Sequence, residues 1–562
     1  MKKLSFITLS VGLLLFSSAL SAKVIPSDGH WRTYDDPAIG SGINIRTQGD
    51  ITMVIVFTYR EDGSPVWYYA TGEIDDNGVF DVPLMETKNG ENIFNNSPQT
   101  AEVFDPEKRI RLNFNATETG TLSINDSEPK PIHTYRFDID GIETEQLTTP
   151  LGDFYQFPDI TGQWAMGSAN DNISFNFDFV TNYGALADPP SPNFHFHFTD
   201  ELREPEGIFY FLSCPTRRAT EAPYCRFYVN QNDVETNERA AVLNRLYVFL
   251  DDIGMNTMTF HLQPEGDETY SREHPTYQAF RLNTGFDEPN DIDTRLFPNE
   301  GHWRTLDDPE IGSGINFHSQ GDVVMMTVFT YNEAGEPIWY MATGELTSES
   351  IPDNDFNANS WANLEMFTTK GGTPIDSVEP VSADLDQFYD VTLLLSAQQM
   401  AHLNINGGAF KEIKSYQFGF PEFIANHYYP ETGDPLKFAS PEGWWLMAEE
   451  NGSESALVHL VKDTSKLTPP PPTDWTEFIN VAASSSWISG MRCPENAAYI
   501  WMRCQVYMTD FDNSISTYLS LTNIGVDTMR IYYRDGNRPD IGDYPSHYFY
   551  YNFYRINPPL QP

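Results

Sequence analysis

The chain has 562 residues, 80 of them acidic and 34 basic, for a formal net charge of −46, and 14% of it is aromatic. A surface this negative repels nucleic-acid phosphates and anionic lipid, which sets both aside as partners. The length exceeds what one small core needs and suits several domains.

In chain order, Lys2 and Lys3 precede an apolar run from Phe6 to Phe16 and the small residues "SSALSA", ending at Ala22. This reads as a bacterial-looking secretory signal peptide over 1–22, too short to cross a bilayer. No cysteine stands at the cleavage position, so lipid anchoring is not expected. No later stretch is long and apolar enough for a membrane span. The expected location is therefore periplasmic or extracellular, possibly the cell surface.

The phrase "GHWRTYDDPAIGSGINI" begins at Gly29 and "GHWRTLDDPEIGSGINF" at Gly301. Without gaps, 31 of 45 positions match between 29–73 and 301–345. The region after each copy repeats more loosely. "TGQW" at Thr161 corresponds to "EGWW" at Glu442, and "DIGMNTM" from Asp252 to "NIGVDTM" from Asn523. The chain thus reads A–B–A′–B′: module A over 23–150, B over 151–290, A′ over 291–430 and B′ over 431–562. Each opens with a glycine (29, 162, 301, 443) and a tryptophan two residues on. Segments 141–160, 288–300 and 421–441 are rich in proline and acid and read as linkers.

Within each module the period is two. "ITMVIVFTY" places Met53, Ile55, Phe57 and Tyr59 on one face and Thr52, Val54, Val56 and Thr58 on the other. Short β-branched and aromatic runs separated by Gly/Asn/Asp turns give about eight strands per module. The expected fold is all-β, four antiparallel modules, each an eight-stranded up-and-down barrel that hides its own edges; β-sandwiches are the alternative. The repeated phrase reads as a strand–loop–strand hairpin. Its glycine can take backbone angles that other residues cannot, as needed where a linker turns into a strand, its tryptophan (Trp31, Trp303) is buried and its Asp-Asp-Pro stiffens the loop.

The A phrase, with its G-x-W, D-D-P, G-S-G-I-N and G-x-P-x-W-Y landmarks, resembles a repeat of exported proteobacterial proteins of undefined function. More distantly, the opening G-x-W is similar to that of the calycins, the lipocalin and avidin barrels. That second resemblance implies a tryptophan plugging one barrel end, and neither implies any catalytic residue.

Cys214 and Cys225 enclose ten residues, as do Cys493 and Cys504, and a proline follows each first cysteine. In an exported chain such pairs are expected to be local disulfides. No metal centre or cofactor is expected. His195 and His197 share a strand face, but the matching stretch of B′ has no histidine and no third ligand is evident. The acidic stretches "PDNDFNANS" and "TDFDNSIS" lack the glycine and terminal glutamate of a calcium loop. His30 and His302 have no recognisable nucleophile or orienting carboxylate, and the sequence contains none of the common hydrolase, phosphate-loop or dinucleotide motifs.

Dense aromatics without a catalytic constellation point to an exported, non-enzymatic binding protein whose ligand is a small molecule, glycan or protein. The candidate ligand-stacking rings are Trp31, Tyr59, Trp67 and Tyr68 in A, and Trp303, Tyr331, Trp339 and Tyr340 in A′. Trp67 and Tyr68 lie on opposite strand faces, so they cannot line one pocket, and Met341 in place of Tyr69 suits packing better than recognition. The alternatives are a structural or adhesin-like scaffold with filled barrels, and a polysaccharide hydrolase using paired carboxylates.

Overall fold

The computed structural model describes residues 24–137 and 295–419 almost continuously, omitting 38, 96–98, 117, 307–311, 352–357 and 359. Over 141–282 and 422–556 it describes chiefly the strands. Residues 1–23, where the signal peptide is read, lie outside the described residues.

The expected all-β architecture is what the structure shows. Module A is a closed barrel whose strands pair in sequence order. They are β1 (Gly29–Thr33), β2 (Gly42–Gln48), β3 (Ile51–Tyr59), β4 (Pro65–Gly72), β5 (Val79–Lys88), β6 (Glu102–Ala116), β7 (Thr119–Ile124) and β8 (Lys130–Thr134). β1 closes the barrel on β8 with Trp31 opposite Thr134. A hairpin of β9 (Gly141–Thr148) and β10 (Phe154–Pro158) follows. Module B is a second closed barrel, β11–β18, between Gly162 and Arg281.

Module A′ closes in the same order as A. Its strands are β19 (Gly301–Thr305), β20 (Gly314–Gln320), β21 (Val323–Tyr331), β22 (Pro337–Thr347), β23 (Ser360–Lys370), β24 (Asp384–Ala397), β25 (Met400–Ile405) and β26 (Lys411–Ser415). A hairpin of β27 (Glu422–Ala425) and β28 (Leu436–Ala439) leads to B′. B′ is an eight-stranded sheet, β29–β36, between Gly443 and Ile556, whose two ends are β34 (Asn513–Ser520) and β35 (Thr528–Tyr533). Two of the three segments read as linkers therefore carry a hairpin, because their short β-branched and aromatic runs pair with each other across a turn.

The opening G-x-W works as its composition suggests. Gly29, Gly301 and Gly443 have φ of +115°, +96° and +128°, where a side chain is strained. Trp31, Trp164, Trp303 and Trp445 are all fully buried. Three of these rings donate Nε1–H to the carbonyl four residues back: Trp31 to Ser27 at 2.9 Å, Trp303 to Asn299 at 2.8 Å and Trp445 to Pro441 at 2.9 Å. Each large ring is thus buried with its one polar atom satisfied. In B and B′ an arginine from the last strand covers the ring, Arg281 over Trp164 at 4.7 Å and Arg555 over Trp445 at 4.2 Å.

The interiors of A and A′ are packed. Val54, Val56, Tyr68, Phe80, Leu112, Phe114 and Trp31 belong to one contiguous buried cluster in A. Val324, Met326, Val328, Tyr340, Leu364, Leu393 and Trp303 do the same in A′.

Candidate functional site: the seam between the two A barrels

On β3 the inward face holds Val54 and Val56, while Ile55, Phe57 and Tyr59 belong to a different buried cluster. That second cluster joins the two barrels: Phe57, Tyr59 and Trp67 of A pack with Phe329, Tyr331 and Trp339 of A′. Phe57 meets Trp339 at 5.1 Å between ring centroids, and Trp67 meets Phe329 at 5.9 Å and Tyr331 at 5.8 Å. Such tilted and edge-on pairs are favourable aromatic geometries.

Polar contacts across the seam come in matched pairs, as an isologous interface requires. Trp67 donates Nε1–H to Thr330 O at 3.0 Å, and Trp339 to Thr58 O at 3.1 Å. The Tyr59 hydroxyl meets Thr369 Oγ1 at 2.7 Å, and the Tyr331 hydroxyl meets Thr87 Oγ1 at 2.7 Å. Ser41 donates to Thr373 O at 3.2 Å and Ser313 to Glu91 O at 3.0 Å. The polar atoms of Tyr59, Trp67, Tyr331 and Trp339 are thereby each satisfied from the opposite barrel.

The loop between β5 and β6 and its counterpart between β23 and β24 are exchanged. Ile93 of A belongs to the core of A′, and Ile375 of A′ belongs to the core of A. Burying each isoleucine contributes roughly 1.5–3 kcal/mol. Ile93 N–H donates to Thr330 Oγ1 at 2.7 Å and Ile375 N–H to Thr58 Oγ1 at 2.8 Å. Gly90 and Gly372 let these loops lie flat on Tyr331 and Tyr59. A Cβ there would stand 2.1 Å and 2.3 Å from the ring carbons.

All eight aromatic residues proposed from sequence as ligand-stacking are buried. The structure brings Tyr59, Trp67, Tyr331 and Trp339 together, but against each other across the seam rather than around a cleft. It places Trp31, Tyr68, Trp303 and Tyr340 in the barrel cores instead. Tyr69 and Met341 are half-buried at the seam edge, in the packing role that the Tyr-to-Met exchange suggested. The functional residues missed by sequence reasoning are Ile93, Ile375, Gly90 and Gly372; the shared "TK-x-G" at 87–90 and 369–372 was the available signal.

Charged groups flank the seam. Arg46 pairs with Asp28 at 2.5 Å, and His318, its equivalent in A′, pairs with Glu300 at 2.5 Å. Buried Glu118 accepts from Arg136 at 3.0 Å, and burial raises its pKa. At the corresponding positions of A′ stand Gln399 and Gln417, themselves hydrogen-bonded. His30 and His302 are buried beside Asn44 and Asn316 at 3.2 Å, and burial pushes each imidazole down to about 3. They are neutral near neutral pH, without a nucleophile to activate. Burial pushes Asp36 up to about 7 against the opposing charge of Arg32, which donates to the carbonyls of Asp36 and Pro37 and so holds the Asp-Asp-Pro loop.

Cys214 is the last residue but one of β14 (Ile208–Pro215) and Cys225 the second of β15 (Tyr224–Gln231). The register of these strands ends with Ser213 facing Arg226, one residue short of Cys214 and Cys225. In B′ the register ends with Arg492 facing Gln505, again one residue short of Cys493 and Cys504. The backbones of His195 and His197 on β13 (Asn193–Phe198) pair with Ser213 and Phe211; their side chains lie outside the described residues, as do those of the four cysteines.

No protein-family model, curated protein or solved structure gives a significant match to the chain. Among the described residues no helix is long and apolar enough to cross a membrane.

Two outcomes test the seam. Gly372→Ala should lower the melting temperature by several degrees, because its new methyl meets Tyr59, whereas Gly314→Ala, whose nearest atom is Trp303 O at 3.8 Å, should change it far less. Equal effects in the two variants would contradict the loop packing. Acidification is the second. A histidine whose folded pKa is depressed binds its proton mainly when unfolded. The stability held by neutral His30 and His302 is therefore complete above the ordinary value of 6.5 and is lost as pH falls towards about 3. His133 and His402, each lowered to about 4 by burial, act in the same direction. Asp36 acts oppositely, since its raised folded pKa favours the fold at lower pH. Buried Glu118, also raised, acts with Asp36, and His459, also lowered, acts with the other histidines. With five histidines against two carboxyls, the melting temperature should fall between about pH 6.5 and pH 4, and a His30→Gln/His302→Gln double variant should show a shallower fall.

Proposed function

We propose that the protein is an exported, non-enzymatic interaction scaffold in which the two A barrels form one solid unit and offer their outer surface, not an interior cavity, to an extracellular or periplasmic partner. The observation that carries this reading is the reciprocal filling of the barrels. Each interior is a packed apolar cluster completed by an isoleucine from the other barrel. The aromatics that a small ligand or sugar would need are occupied by one another. Apolar side chains are instead exposed on matching arms, Val103 and Phe104 on β6, and Leu385 and Phe388 on β24. Two similar arms on one chain favour a repetitive partner through avidity.

The test is a binding screen against glycans and small hydrophobic ligands, with a Trp67→Ala/Trp339→Ala variant in parallel. We expect no saturable binding by the wild-type protein and a stability loss of about 3–5 kcal/mol per tryptophan in the variant. Saturable binding abolished by that variant, with its melting temperature intact, would refute the scaffold reading in favour of a ligand site.

Export also accounts for the cysteines. Directly opposed antiparallel residues have Cα atoms about 4.5–5.5 Å apart, within the span of a disulfide. Continuing each register by one residue brings the two cysteines of each hairpin into that relation, which supports Cys214–Cys225 and Cys493–Cys504 bridges. Non-reducing peptide mapping of the exported protein should recover these two linkages. Reduction should destabilise B and B′ by about 3 kcal/mol each.

A further inference from the structure

The seam has two equivalent clasps that carry different basic side chains beside the same glutamine. At one, Gln48 of A holds the segment leaving A′: its Nε2 donates to Tyr416 O at 3.3 Å, and its Oε1 accepts from Phe418 N–H at 2.9 Å. At the other, Gln320 of A′ holds the segment leaving A. Its Nε2 donates to Tyr135 O at 2.8 Å, and its Oε1 accepts from Phe137 N–H at 2.9 Å. Two residues before each glutamine stands a basic side chain, Arg46 in A and His318 in A′.

We propose that His318 makes the clasp on Tyr135–Phe137 a pH-sensitive contact, while the Arg46 side keeps the clasp on Tyr416–Phe418 constant. The two backbone bonds fix which end of the Gln320 amide is nitrogen. That nitrogen also lies 2.9 Å from His318 Nε2. An amide N–H pointing at a ring nitrogen requires a lone pair there, so the single ring proton sits on Nδ1, which donates to Glu300 Oε2 at 2.5 Å. A second ring proton would set N–H against N–H. Turning the Gln320 amide would supply an acceptor to the ring but reverse both bonds to residues 135 and 137. The charged imidazole and the closed clasp therefore exclude each other.

The surroundings fix the sign. Glu300 is the acid facing the ring, and its other oxygen accepts from Ser319 N–H at 2.8 Å. It attracts a protonated ring across a pair whose side chains are 9% and 31% exposed, and opening of the clasp requires this attraction to be worth less than the two clasp hydrogen bonds lost. From A, the ring is met by Gly29, the Phe137 ring at 5.5 Å and neutral His30, and it interacts electrostatically with Glu118 beside Arg136. In the other clasp, Arg46 is permanently charged and reaches Asp28. The fold thus accepts a cation at this position when it turns to the acid; it does not accept an N–H aimed at the glutamine nitrogen. Protonation of His318 therefore opens one clasp only, at the point where the chain leaves A for B.

Hydrogen exchange on the full chain tests this, with peptides covering Phe137 and Phe418 compared in the same sample at about pH 7.5 and about pH 5.5, each corrected for its intrinsic rate. Protection at Phe137 should drop roughly tenfold at the lower pH while Phe418 holds. His318→Arg and His318→Gln should both remove the difference. No drop at Phe137, or parallel drops at the two segments, would overturn the proposal. So would a drop that persists in both variants, because Glu118 and Arg136 are intact there and the effect would then belong to that ion pair.

Discussion

The structure depends on a mutual deficiency: neither A barrel can bury its own outer strands. β3 and β21 carry apolar side chains on both faces, one row for the barrel interior and one that water would otherwise touch. A closed barrel has no free edge to pair, so the outer row needs another surface of the same chemistry. The second copy of the module supplies it. Trp67 and Trp339 cross the boundary, each capping a carbonyl of the other barrel, and the exchanged loops carry Ile93 and Ile375 into the opposite cores. Two barrels with individually closed sheets thereby share their apolar cores.

Two-fold logic explains where the duplicated sequence held and where it drifted. A residue near the axis of an isologous contact meets its own counterpart or that counterpart's neighbour, so a change in one copy damages both halves of the interface. Ser41, Gln48, Thr58, Tyr59, Trp67, Thr87, Gly90 and Ile93 each have an identical counterpart in A′, whereas Ile55 of the seam cluster becomes Thr327. The charged periphery is not. Arg46 and Asp28 become His318 and Glu300, and the buried Glu118–Arg136 pair becomes Gln399 and Gln417. Exchanging a buried ion pair for an amide pair is tolerated because each arrangement satisfies its own partners, whereas half an exchange would strand a charge. B and B′ show the same habit more weakly: Ala165 and Leu282 pack with Leu446, Leu457 and Ile556, and Phe280 stacks on Tyr554 at 5.1 Å. Paired copies are therefore interleaved along the chain, A with A′ across B and B with B′ across A′. The hydrogen bonds of the A–A′ clasps close loops of 183 to 370 residues, a non-local topology that slows folding.

The barrels were legible in the sequence because a period of two leaves little freedom. Alternation in "ITMVIVFTY" assigned its two faces correctly, and the glycine-tryptophan opening announced each first strand. The seam was written there too, in a strand with no polar face and in a phrase kept more closely than a barrel corner needs. Pattern alone does not say what covers an apolar outer row, and a ligand, a membrane and a second barrel leave the same trace. That is why Trp67 and Trp339 read as stacking platforms. The exchanged isoleucines were harder to find, since one apolar residue in a polar loop carries no period. The hairpins β9–β10 and β27–β28 were masked by the proline and acid around them.

A filled interior changes what the acidic surface means. In a hollow barrel the outside is packaging and recognition happens within. Here the interior holds a packed apolar cluster, and on the scaffold reading proposed above recognition falls to the arms, the loops and the surface charge. The outer residues of the two copies are free to diverge while the seam is not, and the divergence from Arg46 to His318 sits at the boundary between these regimes. It leaves the hydrogen bonds of the seam unchanged in kind while placing a titratable group against one of them. A duplicated module gains asymmetry most cheaply at such a boundary, where a substitution touches one clasp and leaves the shared aromatic core intact.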